Sequence, residues 1–221
     1  MRIRRKKHLT ERVNASKDYL LVADYTEPDL RVKPKNVRIF DFKTIFGNNN
    51  PVSLEIGCGM GAFITELAKR NPDKNFFAVE IIQNIAVSAA EKAKENGLVN
   101  VRIFNCGAEY LPRYIKANSI ENIYLNFSPP FPGKRYENRR LTYPVNLKNY
   151  HEFLMENGKI YQKTDDKEFF DYSFEQLKNN GFLVEDRTGG IASDNSNVVT
   201  EYENKFTSLG LKIYSLKATK I

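Results

Sequence analysis

Three glycines on alternate positions, Gly57, Gly59 and Gly61, stand between a short strand-like run and a helical pattern. That arrangement narrows the fold more than anything else in the 221-residue chain. The run Val52–Ile56 reads as a buried strand. After the glycines, Phe63, Ile64, Leu67 and Ala68 recur at helical spacing, and Asn71-Pro72 ends the pattern. A strand, a tight loop and a helix in succession bring backbone N–H groups and a helix N-terminus up to a ligand. Glycine removes the side chains that would block the approach. Gly57 to Ala62, read as G-x-G-x-x-A, passes for a dinucleotide fingerprint. Glu55 points elsewhere: an acidic residue at the strand end suits a ligand with a cationic amine better than a pyrophosphate.

The next strand, Asn75–Glu80, also ends in a carboxylate, which can accept both hydroxyls of a ribose. S-adenosylmethionine carries both groups. The competing cofactor is a nicotinamide dinucleotide serving an oxidoreductase; Glu55 and the lack of a His or Tyr-Lys pair suited to hydride chemistry argue against it. From residue 51 strands and helices alternate, which predicts an α/β, Rossmann-like fold with a mostly parallel sheet and helices on both faces. Seven strands are expected, at 52–56, 75–80, 101–105, 120–126, 159–163, 182–186 and 211–216, the last two as an antiparallel end. Helices are expected at 84–96, at 147–156 with Gly158 as C-cap, and over Phe169 to Leu177. Ligands in such sheets bind beyond the carboxyl ends of the strands. Those ends carry Glu55 with the glycine loop, Glu80, the Cys106-Gly107-Ala108 turn, Asn126-Phe127-Ser128 and Thr164-Asp165, five segments expected to serve one crevice.

Residues 1–50 read as a basic arm and lead-in, with a short helix at Asp41 to Phe46, and residues 51–221 as the domain proper. Arg2, Arg4, Arg5, Lys6, Lys7 and Arg12 cluster in the arm. With a net charge of +7 they favour a polyanionic partner. Two cysteines and two histidines give no disulfide framework and no ligand cluster, so no metal is expected. No apolar run is long enough for a membrane span, and the basic N-terminus lacks an apolar core, so a cytoplasmic protein is expected.

The most unusual stretch runs from Asn126 to Pro144. Three of the four residues from Pro129 to Pro132 are proline, which stiffens the loop. Lys134, Arg135, Arg139 and Arg140 follow, with Tyr136 and Tyr143 among them. Cations interleaved with aromatics suit an RNA backbone and its unstacked bases. Four pieces together resemble the bacterial tRNA (guanine-N(7))-methyltransferases, of the class I S-adenosylmethionine-dependent type: Glu55–Gly61, Asn126-Phe-Ser with Lys134-Arg135 and Arg139-Arg140-Leu-Thr142, Lys163-Thr-Asp165, and Thr200–Phe206. The resemblance implies methyl transfer from S-adenosylmethionine, leaving S-adenosylhomocysteine, to a guanine in the variable loop of tRNA. It implies cofactor contacts by Glu55, Gly57, Gly59, Gly61, Glu80, Gly107, Ala108 and Asn126. It implies tRNA contacts by Asp165, Thr200, Glu201, Tyr202, Glu203, Lys134, Arg135, Arg139 and Arg140, with Arg4 and Arg5 on phosphates, in a monomer or homodimer.

The chain departs from the family's pattern after Asn126-Phe-Ser. There the family has Asp-Pro-Trp-Pro-Lys-Lys-Arg-His and this chain has Pro129-Pro-Phe-Pro-Gly-Lys-Arg-Tyr136. The aspartate given a catalytic role is Pro129, its first lysine is Gly133, and Gly107 replaces an acidic or amide residue. No catalytic side chain is therefore assigned. The pattern implies a slowed enzyme or, alternatively, a catalytically silent tRNA-binding protein on the same fold.

Overall fold

The computed structural model describes residues 7–27, 29–30, 38–188, 198–199 and 201–221, the side chains of 201, 202, 204 and 205 excepted. Arg4, Arg5 and Thr200, assigned above to RNA contacts, lie outside these residues. Two compact units divide the chain, Met1–Lys116 and Ala117–Ile221.

In the first unit, β1 (Leu20–Val22), β2 (Val52–Ile56), β3 (Asn75–Glu80) and β4 (Val101–Asn105) run parallel in the order β1-β4-β3-β2. Every residue of β2 and β3 is buried, as strands covered on both faces require. Helices α3 (Ala62–Arg70) and α4 (Gln83–Glu95) pack on β3 and β4. Ala86, Ala89, Ala90 and Ala93 of α4 are fully buried, and small side chains let that helix lie close. Phe77 and Phe104 meet an aromatic cluster instead: Phe40 lies 5.4 Å from Phe77 and 5.0 Å from Phe104, and Phe42 lies 5.2 Å from Phe77, centre to centre. Each such pair adds about 0.5–1.5 kcal/mol beyond its burial. Phe42 opens α2 (Phe42–Phe46), the short helix expected from the sequence; Asp41 caps it by accepting the Lys43 N–H.

The segment before residue 50 is tied into this unit. Helix α1 (Leu9–Ala15) joins α4 through an Arg12–Glu91 ion pair and a Lys94 bond to the Ala15 carbonyl. After β1 the chain crosses the end of β4. The Ala23 N–H donates to Asn105, the Tyr114 hydroxyl accepts the Asp24 N–H, and the buried Arg113 guanidinium donates to the Glu27 and Asp29 carbonyls at 2.8 and 2.6 Å.

In the second unit, β5 (Ile120–Asn126) pairs parallel with β6 (Leu154–Thr164). β6 pairs antiparallel with β8 (Tyr214–Lys220), and β8 antiparallel with β7 (Phe182–Asp186), the antiparallel end expected. Helix α5 (Pro144–Phe153) buries Leu147, Tyr150 and Phe153, and α6 (Lys167–Asn179) buries Phe169, Phe170, Ser173 and Leu177. Helix α7 (Glu201–Ser208) follows β7.

The described residues thus form eight strands rather than seven, the addition being β1. A second correction concerns Gly158, which does not cap α5. The helix ends at Phe153, β6 begins at once, and Gly158 lies inside the strand. A Cβ there would come within 2.9 Å of the Met155 carbonyl and 3.1 Å of the Glu121 carbonyl, so close backbone approach explains the glycine.

Candidate functional site

In the first unit, all three loop glycines adopt left-handed backbone: φ is 83° at Gly57, 55° at Gly59 and 77° at Gly61. They do so for different reasons. A Cβ on Gly57 or Gly59 would meet nothing within 4 Å, so both border open space. A Cβ on Gly61 would fall 2.9 Å from the Ala89 Cβ, so this glycine lets α3 and α4 approach. The Gly57 and Cys58 N–H groups donate to the Val79 carbonyl and pin the loop to β3.

Glu55 and Glu80 stand at the ends of adjacent strands, both buried. The Glu80 carboxylate accepts the Gly59 N–H at 3.1 Å and the Ile82 N–H at 2.8 Å. Burial raises its pKa, and these donors counter the rise. At the end of β4, Asn105 donates to the Glu80 and Ile81 carbonyls, fixing the turn at Cys106 to Ala108 against the end of β3.

Two cysteines border this region. Burial, reinforced by the charges of Glu55 and Glu80, pushes the Cys58 thiol well above its usual range. Burial also pushes Cys106 up to about 12. Both are therefore neutral thiols at pH 8. The native protein is expected to react with a disulfide reagent at pH 8 at least ~10²-fold more slowly than the urea-unfolded chain, which should release two equivalents. One rapidly titrating thiol in the native protein would refute this description.

In the second unit, β5 ends at Asn126 and the chain turns sharply. The Phe127 N–H donates to the Lys163 carbonyl at 2.8 Å. Phe127 and Phe131 have φ of 50° and 43°, an uncommon conformation for a bulky residue. Ser128 is buried and Pro129 exposed. The described peptide bonds of the proline run are trans. Arg140, assigned to phosphate from the sequence, is half-buried here. Its guanidinium donates to the Pro130 carbonyl at 2.9 Å and the Phe131 carbonyl at 3.3 Å, and lies 4.2 Å from the Tyr172 ring centre. It fastens the loop. Lys134, Arg135 and Arg139 remain exposed, the two guanidinium groups 5.6 and 5.3 Å from the centre of the Tyr136 ring.

At the end of β6, Asp166 rather than Asp165 caps α6 by accepting the Phe169 N–H, and Asp165 stays exposed. Glu203 is buried and ion-paired: the Lys163 ammonium donates to it at 2.7 Å and to the Val198 carbonyl at 3.2 Å. Burial lowers the Lys163 pKa, and Glu203 opposes the shift. The structure describes the backbone of Glu201 and Tyr202 only.

Sequence reasoning assigned no role to Tyr25 or to Lys163 by itself. Tyr25 comes from the segment before residue 50 and accepts the Gly107 N–H through its hydroxyl at 3.0 Å. Nothing in its local pattern announces this, since the contact spans 82 positions. Lys163 was visible only as part of Lys-Thr-Asp, and its partner stands 40 residues away. Among the described residues no group of three or more His, Cys, Asp and Glu side chains could hold a metal ion. No helix among them is long and apolar enough to cross a membrane.

Comparison with known proteins bears on both units. A family model described as a putative methyltransferase matches residues 49–216. A tRNA (guanine-N(7)-)-methyltransferase of Geobacillus kaustophilus is 38% identical over 222 aligned residues, covering 100% of this chain and 97% of its own length. The protein of the same name from Bacillus velezensis is 41% identical over 175 residues, 78% of this chain and 81% of that one. Among solved structures, the 16S rRNA methyltransferase KamB matches with a TM-score of 0.63 at 15% identity, over 86% of this chain and 98% of that one. An antibiotic-related methyltransferase matches with a TM-score of 0.59 at 18% identity, over 86% and 100%. At that identity these two likenesses speak for the fold alone, which is the class I methyltransferase fold expected. The sequence likeness carries further, and the chain belongs to the tRNA (guanine-N(7))-methyltransferase family.

Proposed function

We propose that this protein transfers a methyl group from S-adenosylmethionine to N7 of a guanine in the variable loop of tRNA. The observation that carries the reading is the 38% identity to a tRNA (guanine-N(7)-)-methyltransferase along the entire chain. The first unit supports the cofactor. Open space beside Gly57 and Gly59 leaves room for a ligand, Glu55 offers a carboxylate to its ammonium group, and Glu80 offers one to its ribose hydroxyls. When bound, S-adenosylmethionine supplies an electrophilic methyl on a cationic sulfur.

The chemistry asks little covalent help of the chain. Guanine N7 has an in-plane lone pair and no proton at neutral pH, so no general base is needed. The N–C bond forms as the C–S bond breaks, and positive charge moves onto the guanine ring. The chain's task is to hold the reacting atoms in line, which by itself can supply much of the acceleration. Lys134, Arg135 and Arg139 offer exposed cations to tRNA phosphates, and the Tyr136 ring a face for a base. Exposed Asp165 offers a carboxylate to the guanine edge.

Pro129 favours a second reading, a silent tRNA-binding protein, because proline offers no charge against the developing cation. The test is to incubate the protein with unmethylated bulk tRNA and S-adenosylmethionine labelled in the methyl, then digest to nucleosides. Label in 7-methylguanosine is expected. Pro129→Asp is expected to raise the rate roughly tenfold or more by restoring one stabilising charge. No label, with both ligands bound, would move the protein to the second reading.

A further inference from the structure

We infer that Arg140 is a positioning residue for methyl transfer: it holds the loop 127–133 in a strained shape on which the transfer step depends, and it does not neutralise tRNA phosphate. The inference rests on the methyltransferase reading above. The loop leaves β5 at the carboxyl ends of β5 and β6, the side of such a sheet on which ligands bind. Its shape is costly. Phe127 and Phe131 are non-glycine residues in left-handed backbone, with φ of 50° and 43°. Phe131 also precedes Pro132, and a residue in that position favours extended backbone, with φ about −120°. Backbone of this kind persists only where its surroundings over-determine it.

Arg140 supplies that constraint. Its guanidinium donates to the Pro130 carbonyl at 2.9 Å and to the Phe131 carbonyl at 3.3 Å. These carbonyls belong to the peptide groups on either side of the Phe131 Cα, so holding both fixes φ and ψ of that residue together. One face of the guanidinium lies 4.2 Å from the centre of the Tyr172 ring on α6. The backbone that carries it is fixed as well. The Arg140 carbonyl accepts the Tyr143 N–H and the Asn146 side-chain amide, each at 3.0 Å. Two residues on, the buried Thr142 hydroxyl meets the Ser173 hydroxyl of α6 at 2.8 Å, and Ser173 accepts from Gln162 of β6 at 3.0 Å. Arg140 is thus braced against α5, α6 and β6 before it reaches the loop. Arg139, next to it in the chain, is exposed, as a phosphate contact should be.

The test compares these two arginines in two measurements: methyl transfer to bulk tRNA, resolved into kcat and KM, and tRNA affinity as a function of salt. Arg140→Ala is expected to lower kcat about 10²-fold, the scale for a small misplacement at a reacting centre. Its KM for tRNA should stay within about threefold of wild type. Arg140→Lys should fall about as far, because an ammonium keeps the charge but lacks the planar fork that spans both carbonyls. Both variants should keep the wild-type slope of log Kd against log salt. Arg139→Ala should instead raise KM and reduce that slope by about one, as the loss of one phosphate contact does. Should Arg140→Ala fail to fold, Tyr172 carries the test. Tyr172→Leu should lower kcat about 3–30-fold by removing the ring from the guanidinium face, and Tyr172→Phe should recover most of the loss. An undiminished kcat in Arg140→Ala, or a raised KM with a flattened salt slope, would overturn the positioning role and leave the methyltransferase reading standing. A wild type that binds both ligands and transfers no label would overturn that reading and the role with it.

Discussion

Replacing Lys163 by methionine is expected to destabilise the protein by roughly 3–5 kcal/mol, the range for removing one partner of a buried ion pair. Methionine keeps the length and apolar stem of lysine, so packing is nearly conserved and the charge is what changes. The Glu203 carboxylate, with a side chain 11% exposed, loses this cation. The Val198 carbonyl loses a donor in the same step. Urea unfolding of Lys163→Met, Glu203→Leu and the double variant separates the contributions. The double variant should recover most of the loss, because two apolar side chains can replace a buried pair at little cost.

Glu203→Leu leaves the ammonium buried without this partner and is also expected to destabilise, by no more than it costs the lysine to shed its proton. That limit has a pH signature. The Lys163 pKa lies below its ordinary 10.5 in the folded chain, and Glu203 is the group that holds it up. Without Glu203 it falls further. Between the folded pKa and 10.5 the unfolded chain binds more protons, so the stability of Glu203→Leu must rise with pH across that window and fall as pH drops through the folded pKa. A Lys163→Met loss below about 1 kcal/mol would show a pair wet enough to behave as a surface contact.

Gly61→Val is expected to cost roughly 3–4 kcal/mol or more from two sources that act together. A branched side chain at φ 77° adopts left-handed backbone at about 1–2 kcal/mol. Its Cβ also meets Ala89, 2.9 Å from the Cβ and 3.1 Å from the Cα, where only movement of α4 can make room. Overpacking of that kind adds about 1–3 kcal/mol. Gly59→Ala isolates the first source, because its Cβ would meet no neighbour. It should cost about 1–2 kcal/mol in chemical unfolding. Equal losses in the two variants would remove the helix contact from the account of Gly61.

The parts of the fold legible in the sequence are those whose signal is local. β2 and β3 are short runs rich in Val, Ile, Leu and Phe, and each glycine, proline or asparagine break between elements is a short-range signal. β1 escaped because three residues, Leu20–Val22, carry too little pattern, and they become a strand only by pairing with residues 103–105. Gly158 misled because a glycine just beyond a helical pattern ordinarily marks its end, whereas here two carbonyls crowd it from a strand. The same limit governs the site. Glu55, Glu80 and the loop glycines announce themselves by position in a strand–loop–helix unit. Arg140 counts in the sequence as one more cation, and only its bonds to Pro130 and Phe131 distinguish it from its exposed neighbours.

The crossing of residues 23–27 over the end of β4 has a consequence for how the molecule is made. Asp24, Tyr25 and Glu27 find their partners 90, 82 and 86 positions further along the chain. At ribosomal rates of about 5–20 residues per second, that segment leaves the tunnel roughly 4–18 s before Gly107, Arg113 and Tyr114 follow. In the interval its own contacts are two short turns, the Thr26 N–H to Asp24 and the Asp29 N–H to Glu27, and the distant pairings form late. A segment synthesised well before its partners is thus among the last to be fixed, and it is the segment that brings Tyr25 to Gly107.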